Sequence, residues 1–103
     1  MLVRRFTARA TAANAPRYYA FFRDTLAPQL RQIPGHGGAL VLSHSDGSDV
    51  NITVLTFWDS RESIRAFAGD APNKAVVEPE ARGILTAFDD QIEQLTVELD
   101  LRS

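Results

Sequence analysis

The side chains of this chain that could hold or activate a small molecule begin with an arginine close to the N-terminus. Arg4 lies in a strand-like segment and shares a face with Phe6, so packing that face against helices would bury the guanidinium. A buried cation needs a partner, either an anionic or carbonyl group of a ligand or a salt bridge to Glu93 or Asp100. The sequence leaves both partners open, and the first makes Arg4 the preferred substrate anchor.

Aromatic residues supply the candidate walls of a pocket. Trp58 ends a strand, where its ring either packs in the core or offers its N–H to a ligand carbonyl. Tyr18 and Phe22 follow helical spacing and are either core or pocket wall, and Phe67 adds a wall from a later helix. With the histidine discussed next, the candidate pocket residues are Arg4, Phe6, Tyr18, Phe22, His44, Trp58 and Phe67.

The two histidines, His36 and His44, lack the spacing of a metal site. His36 lies in a glycine-rich loop, whereas His44 follows two leucines in phase along a strand. There the imidazole either borders the pocket as a general base or lies on the surface. With no cysteine in the chain either, we predict no metal site.

The helices and strands that would position these residues are predicted from the spacing of apolar side chains along the chain. Period-two patterns predict four strands, and helical spacing predicts a helix after Asn14 that Pro28 kinks or splits. A second helix would start at an Asp59 cap with a capping box to Glu62 and end at Gly69. Further helix is expected over residues 70–77 and 80–88. The predicted strands are Leu2 to Arg9, Leu40 to Ser45, Val50 to Trp58 after an Asp-Gly turn, and Gln91 to Leu101.

The resulting order is βαββαβ, an α+β pattern. A right-handed crossover places the first and third strands side by side in a four-stranded antiparallel sheet, with helices on one face: a ferredoxin-like sandwich. The third strand carries Val54 and Trp58 on one face but Leu55 and Phe57 on the other. One layer of helices covers one face only, so we expect the sheets of two subunits to pair in a homodimer.

Composition sets the wider limits. A chain of 103 residues is short enough to predict one domain, 1–103, and 45% hydrophobic residues are ordinary for a globular protein. No apolar run reaches the length of a membrane span and no secretory signal is evident, so we expect no membrane partner and a cytoplasmic location. A formal net charge of -2 argues against nucleic acid as a partner. Arginines before Asp24 and acids near the C-terminus predict neighbouring strands of complementary charge.

Residues 54–88, VLTFWDSRESIRAFAGDAPNKAVVEPEARGILTAF, together with the IPG at 33–35, carry a family resemblance. The chain resembles the antibiotic biosynthesis monooxygenase family of dimeric α/β barrels over nearly its whole length. The resemblance implies a barrel formed by two sheets, with one pocket per subunit between sheet and helices. It marks the fold more strongly than the reaction, because the family includes cofactor-independent oxygenases, haem-degrading enzymes and quinol oxygenases.

The reactive residues of that family are mostly replaced here. The Asn and Tyr of its polyketide oxygenases correspond to Val54 and Ile64, while the strand-ending Trp is present as Trp58. The second Trp and the His of its haem-degrading members correspond to Phe67 and Val77, which argues against haem degradation.

Two functions follow from the resemblance and these replacements. The first is a cofactor-independent oxygenase that deprotonates and orients an aromatic or quinol-type substrate, which itself reduces dioxygen, with Arg4 and the Trp58 N–H stabilising the enolate. The alternative is a non-catalytic dimeric module of the same fold that binds a small apolar or aromatic ligand or is purely structural.

Overall fold

The computed structural model describes residues 1–102, and its elements follow the predicted order. They are β1 Leu2–Thr11, α1 Ala15–Phe21, a π-helical turn Phe22–Leu26, α2 Ala27–Arg31, β2 His36–Asp46, β3 Asp49–Trp58, α3 Arg61–Ala68, α4 Pro79–Ile84, β4 Ala87–Phe88 and β5 Glu93–Thr96. All strand pairs are antiparallel, β3 lies between β2 and β1, and both β4 and β5 pair with the far side of β1. The predicted α+β, ferredoxin-like arrangement with β1 beside β3 is confirmed.

The central pair of strands, β1 and β3, decides which side chains face the helices. They pair along their full length, from Leu2 opposite Trp58 to Thr11 opposite Asp49. Because paired residues share a face, Arg4 and Thr56 point to the same side as the buried Trp58. This helix-facing side, hereafter the inner face, carries from these two strands Leu2, Arg4, Phe6, Ala8, Ala10, Ile52, Val54, Thr56 and Trp58.

The predicted first helix is interrupted, as expected, near Pro28. The Ala27 N–H donates to the Phe22 carbonyl, one residue further back than in an α-helix, and this widens the turn Phe22–Leu26. Pro28 has no N–H to donate to the Asp24 carbonyl, so the regular ladder cannot pass through this point. The widened turn buries both Phe22 and Leu26 against the sheet.

Glycine and serine set the turns on either side of β3. The β2–β3 hairpin turns at Gly47-Ser48, with Gly47 at φ 66, so the predicted Asp-Gly turn is found. The cap of α3 is not the predicted Asp59–Glu62 pair: Ser60 caps the helix and Ser63 completes the capping box. The Asp59 N–H instead donates to the Gly35 carbonyl at 2.8 Å, which shifts the start of the helix by one residue.

The segment after Gly69 differs most from the prediction. No helix forms over residues 70–77, because this stretch pairs its backbone with residues 90–92: the Ala75 N–H donates to Asp90 and the Ile92 N–H to Asn73, both at 2.8 Å. The predicted helix over 80–88 is replaced by α4 Pro79–Ile84 and the short β4. We call residues 70–78 the strap, since they cross the end of the sheet close to Arg4.

The predicted last strand, Gln91 to Leu101, is reduced to β5. Thr96 lies opposite Leu2, the first residue of β1, and the Val97 N–H adds one further backbone bond, to the Met1 carbonyl at 3.0 Å. The tail beyond it leaves Leu99 74% and Leu101 82% exposed.

The sheet face that points away from the helices, hereafter the outer face, is apolar at one end. Leu40 and Leu42 of β2 are 42% and 46% exposed, and Leu95 of β5 is also exposed. The guanidinium of Arg102 lies 4.9 Å from the Phe57 ring centroid on this face. Cross-strand charges occur as predicted in one pair, Arg5–Glu93, which are 3.3 Å apart and partly exposed.

Two further predictions concern the extent of the domain and contact with a membrane. No helix within residues 1–102 is long and apolar enough to cross a membrane. The single domain 1–103 stays a prediction, and its last residue, Ser103, lies outside the described part of the chain.

Substitution of Gly35 tests how α3 is held on the sheet. Its φ is 89°, and a Cβ at this position would lie 2.6 Å from the Cβ of Ser63. We expect Gly35→Ala to lower the free energy of unfolding by about 2 to 4 kcal/mol, through backbone strain and overpacking. Urea unfolding measures this change.

Gly83 provides the matched control for that substitution. It lies in α4 where a Cβ would meet open space, so Gly83→Ala should leave stability unchanged or raise it by up to about 1 kcal/mol. Equal stabilities of the two variants would contradict the proposed packing of Gly35 on α3.

Candidate functional site

A small cavity lies between the inner face of the sheet and the helices. Its volume is about 40 Å³, and its wall is mostly apolar. β1, β3, α1, the π-helical turn, α2, α3, the strap, α4 and the segment before β5 all contribute to it. The lining residues are Arg4, Phe6, Tyr18, Phe22, Leu26, Leu30, Val54, Thr56, Phe67, Val76, Val77, Glu78, Ala81 and Ile92.

Arg4 is the buried cation of this cavity, with 3% of its surface exposed. Its guanidinium donates to the Pro72 carbonyl and, at 3.1 Å, to the Lys74 carbonyl. It also lies 5.6 Å from the Phe67 ring centroid, a cation–π contact. Neither partner expected from the sequence, Glu93 or Asp100, forms an ion pair with Arg4: Glu93 pairs with Arg5 and Asp100 with Arg102.

The charge of Arg4 is therefore compensated by carbonyl dipoles and not by a carboxylate within residues 1–102. Burial lowers the pKa of Arg4 from its usual value, which is the direction expected of a desolvated cation. A guanidinium has five N–H donors in a fixed fork, and two strap carbonyls do not use all of them. The site can therefore accept an anionic or carbonyl oxygen from a ligand.

A carboxylate and a phenol belong to the same cavity. Burial raises the pKa of Glu78, although a hydrogen bond from its own backbone N–H opposes the shift. Burial, and secondarily the nearby Glu78 carboxylate, raise the pKa of the Tyr18 hydroxyl, which therefore stays protonated. No salt bridge joins Glu78 to Arg4 within the described residues, so the cavity holds an unpaired cation and an unpaired carboxylate.

Trp58 lies behind the cavity wall in a group of stacked rings. Its ring is fully buried, stacks on Phe67 at 5.5 Å between centroids, and meets the edge of His36 at 4.9 Å. Its N–H donates to the Thr56 hydroxyl at 2.8 Å. The expectation that this N–H would hold a ligand carbonyl is therefore wrong, because Thr56 already accepts its proton. Trp58 positions Phe67, which does line the cavity.

The structure brings five of the seven candidate pocket residues together around the cavity: Arg4, Phe6, Tyr18, Phe22 and Phe67. The exceptions are Trp58, which supports the wall from behind, and His44. His44 lies opposite Asn51 on the outer face and is exposed. It follows the phase of Leu40 and Leu42, and those leucines point away from the helices, so it does not border the cavity. The use of the five residues in ligand binding stays a prediction.

Sequence reasoning missed Glu78 and Thr56. Thr56 had a usable signal, because it lies two residues before Trp58 and therefore on the same strand face. Glu78 precedes Pro79, a position typical of a residue that starts a helix, and it is the N-cap of α4. Nothing local indicates that its carboxylate belongs to the same cavity as Arg4, 74 positions earlier.

The positions that carry reactive residues in the resembled family are apolar here. Val54 and Val77 line the cavity, and Ile64 is buried in the core. No group of three or more His, Asp or Glu side chains within residues 1–102 is arranged to hold a metal ion.

An α+β sandwich of this topology, with a cavity between sheet and helices, is the fold class of the antibiotic biosynthesis monooxygenases. The structure is similar over 100% of both chains, with 21% identity and a TM-score of 0.71, to a mutant of MhuD with two manganese protoporphyrin IX molecules bound per active site. It is also similar to the haem degrader MhuD of Mycobacterium tuberculosis with two haems bound, at 24% identity and a TM-score of 0.62, covering 97% of this chain and 99% of that one.

Two further solved structures share the fold. One is a monooxygenase from ActVA-Orf6 of Streptomyces coelicolor in complex with nanaomycin D, at 14% identity and a TM-score of 0.64 over 99% of this chain and 92% of that one. The other is an antibiotic biosynthesis monooxygenase assigned in Bacillus cereus, at 14% identity and a TM-score of 0.62 over 99% and 97%. No protein-family model and no curated protein matches this chain. At these identities the likeness confirms the fold.

Arg4 should also hold the strap in place. In Arg4→Met the side chain keeps an unbranched apolar stem but loses its donors to Pro72 and Lys74. We expect the amides of Ala75 and Ile92 to exchange with solvent about tenfold faster, since hydrogen bonds from charged groups contribute about 1.5 to 3 kcal/mol. Hydrogen exchange measured by NMR provides the test.

Arg5→Met is the control for this experiment. Arg5 lies next to Arg4 but on the outer face, with a partly exposed salt bridge to Glu93. Two results would show that Arg4 does not hold the strap. The exchange rates of the Ala75 and Ile92 amides could be unchanged in Arg4→Met, or they could rise equally in Arg5→Met.

Proposed function

We propose that the protein binds a planar, partly oxygenated aromatic molecule in this cavity and oxidises it with dioxygen, without a metal or organic cofactor. The observation that carries the proposal is Arg4, a buried cation without a carboxylate partner in a mostly apolar cavity. Such a cation stabilises negative charge that develops on a ligand oxygen, and it does so most strongly where water is excluded. The shared fold of a monooxygenase in complex with nanaomycin D is consistent with this kind of ligand.

The reaction would depend on the substrate's own electrons. Loss of a proton from a phenolic or quinol-type ligand leaves an electron-rich anion that reduces dioxygen directly, while Arg4 holds the anionic oxygen. Phe67, which lies against both Arg4 and Trp58, would stack on the ligand ring. The chain's contribution is therefore orientation, deprotonation and charge stabilisation.

Ligand entry requires the strap to move. A cavity of about 40 Å³ holds a few water molecules, whereas sites for small organic ligands typically have about 300 to 1,000 Å³. The strap supplies Val76, Val77 and Glu78 to the wall, forms no helix or strand, and is tied down mainly by Arg4 and by its backbone bonds to residues 90–92. A ligand anion would compete with the strap carbonyls for the Arg4 guanidinium.

The second candidate function is a ligand-binding module of the same fold without catalysis. The observation that favours it is the apolar character of positions 54, 64 and 77, where the resembled enzymes carry Asn, Tyr and His. Both functions require the same ligand site, so only turnover separates them.

Haem is a poor substrate or ligand for this site. The only histidines, His36 and His44, do not line the cavity, and Val77 holds the position of the family's histidine. The Tyr18 phenol has a raised pKa, which disfavours the tyrosinate that would bind iron. In this respect the chain differs from MhuD despite the shared fold.

We also propose that the protein is a homodimer that pairs the apolar ends of two outer faces. Leu40, Leu42 and Leu95 would otherwise form an exposed hydrophobic patch on one side of the sheet. Pairing two such sheets would build the barrel that the resemblance implies.

Oxygen uptake on a panel of anthrones and hydroquinones tests the oxygenase reaction. We expect turnover by the wild type and a fall of about 100-fold in kcat/KM in Arg4→Met, because a preorganised charge donor is lost. Arg5→Met should react like the wild type, since Arg5 faces the other side of the sheet.

Three outcomes of that panel have separate meanings. A wild-type rate that Arg4→Met does not change would remove the proposed site. Ligand binding without oxygen uptake would favour the non-catalytic module. A saturable Soret shift on addition of haemin would overturn the argument against haem.

The dimer is tested by the mass measured by light scattering. The wild type should have twice the mass of one chain at micromolar concentration, and Leu42→Glu should weaken the dimer by about 100-fold through an unpaired buried charge. The control Gln29→Glu introduces the same charge at an exposed position of α2 and should remain dimeric. A monomeric wild type would exclude the paired-sheet barrel.

A further inference from the structure

We propose that Glu78 is the proton acceptor of this site, and that it takes the proton of an aromatic ligand whose carbonyl oxygen lies at Arg4 and whose hydroxyl lies at Glu78. This inference rests on the proposed function for its ligand site and deepens it by naming the base. Nothing in the resembled family's pattern provides it, since the reactive residues of that pattern are absent here.

The first step of the argument is the arrangement of opposite charges. Arg4 from β1 and Glu78 from the end of the strap line one cavity but form no salt bridge with each other. The two groups therefore do not neutralise each other, and a ligand in the cavity can contact both. A ligand satisfies both when it offers a hydrogen-bond acceptor to the guanidinium and a donor to the carboxylate.

The second step is the chemistry of the carboxylate. Desolvation makes the Glu78 carboxylate a stronger proton acceptor than a carboxylate in water, and Tyr18 beside it keeps its own proton. Tyr18 from α1 lies close enough to Glu78 for the carboxylate to affect its pKa, and Arg4 from β1 lines the same cavity. Arg82 of α4 is held elsewhere, donating to the Val77 carbonyl at 3.2 Å and lying over Phe88. The cation at the other end of the ligand is therefore Arg4.

The third step accounts for the bonds and charges in the proton transfer from the ligand to Glu78. The ligand's O–H bond breaks, its proton bonds to a Glu78 carboxylate oxygen, and the electron pair stays on the ligand. Conjugation through the aromatic rings moves the negative charge to the carbonyl oxygen at Arg4. The site then contains a neutral carboxylic acid and an enolate-type anion next to a guanidinium, with no net change in charge. Subsequent oxidation by dioxygen belongs to the proposed function and is not needed for this step.

The test uses 2-hydroxyanthraquinone, a ligand that already contains the quinone and reacts much less readily with dioxygen than an anthrone, with anthraquinone as the analogue that lacks the hydroxyl. The phenolate of 2-hydroxyanthraquinone absorbs at longer wavelength than the phenol, so its protonation state is read directly. Binding is followed separately through quenching of Trp58, the one tryptophan of the chain, which stacks on the cavity-lining Phe67.

We expect the bound wild-type complex to show phenolate absorbance that is independent of pH over a range in which free ligand is neutral. The proton moves within the complex, so no proton is exchanged with the solvent. In Glu78→Gln this pH-independent phenolate is lost, and the bound ligand titrates like an ordinary phenol beside a cation. Anthraquinone should bind about tenfold more weakly to the wild type than 2-hydroxyanthraquinone, because it leaves Glu78 without a donor.

Glu80→Gln is the matched control. It removes a carboxylate from the first turn of the same helix, at an exposed position outside the cavity wall, and should keep the wild-type spectrum. Loss of the signal in both variants, or its persistence in Glu78→Gln, would overturn the assignment of Glu78.

A second measurement needs no ligand and shows whether Glu78→Gln is folded. A carboxyl whose pKa is raised in the folded state binds more protons there than in the unfolded chain, so it costs stability as pH rises through that interval. The wild type should therefore lose stability relative to Glu78→Gln between its unfolded and folded pKa values. A flat difference in unfolding free energy across that range would contradict a raised pKa of the half-buried Glu78.

The proposed function and this inference fail separately. If the wild-type complex shows phenolate but the anthrone panel shows no oxygen uptake, the oxygenase reaction is contradicted and the role of Glu78 as the base is supported. If Glu78→Gln takes up oxygen at the wild-type rate and the wild-type complex shows no phenolate, the role of Glu78 as the base is contradicted and the oxygenase reaction is supported.

Discussion

The burial of the Arg4 guanidinium is the constraint on which the site depends. A charged group removed from water needs hydrogen-bond acceptors around it, and in this chain the carbonyls of Pro72 and Lys74 provide them. Those carbonyls would be used internally if residues 70–77 were helical. The strap is therefore an irregular segment that lies across the end of the sheet, and the position of Glu78 at its end follows from that path.

The pairing of β1 with β3 divides the molecule into two different surfaces. On the inner face, ten paired positions alternate so that Arg4 and Thr56 meet the aromatic group of Trp58 and Phe67. On the outer face, Leu40 and Leu42 remain exposed and His44 continues their row towards the hairpin. A one-residue change of register would exchange these two sets, so the register fixes both the cavity and the surface proposed for dimerisation.

The cavity combines two opposing electrostatic demands. The low-dielectric surroundings that would strengthen the proposed contact of Arg4 with a ligand oxygen also raise the pKa of Glu78. A direct salt bridge between them would satisfy both charges and leave little for a ligand. Arg4 and Glu78 instead line the cavity without pairing, and Tyr18 lies beside the carboxylate. The mostly apolar cavity therefore offers a hydrogen-bond donor and a hydrogen-bond acceptor as separate groups.

The sequence by itself determined the order of the elements, which residues of β1 and of β3 share a face, the break at Pro28, the Asp-Gly hairpin and the end of α3 at Gly69. Each depends on local periodicity or on the backbone limits of proline and glycine, which act over a few residues. The same local phase brought five pocket candidates to the correct face. It could not orient β2, so His44 was not distinguished from a pocket residue.

Only the tertiary structure decided the partners of Arg4, the path of the strap, the length of the last strand and the use of the Trp58 N–H. Arg4 bonds to carbonyls about seventy positions away, and the last strand ends at Thr96, opposite the first residue of β1. These outcomes depend on which distant groups compete for the same donors and acceptors. That competition is settled by packing over the whole chain and leaves no trace in local sequence pattern.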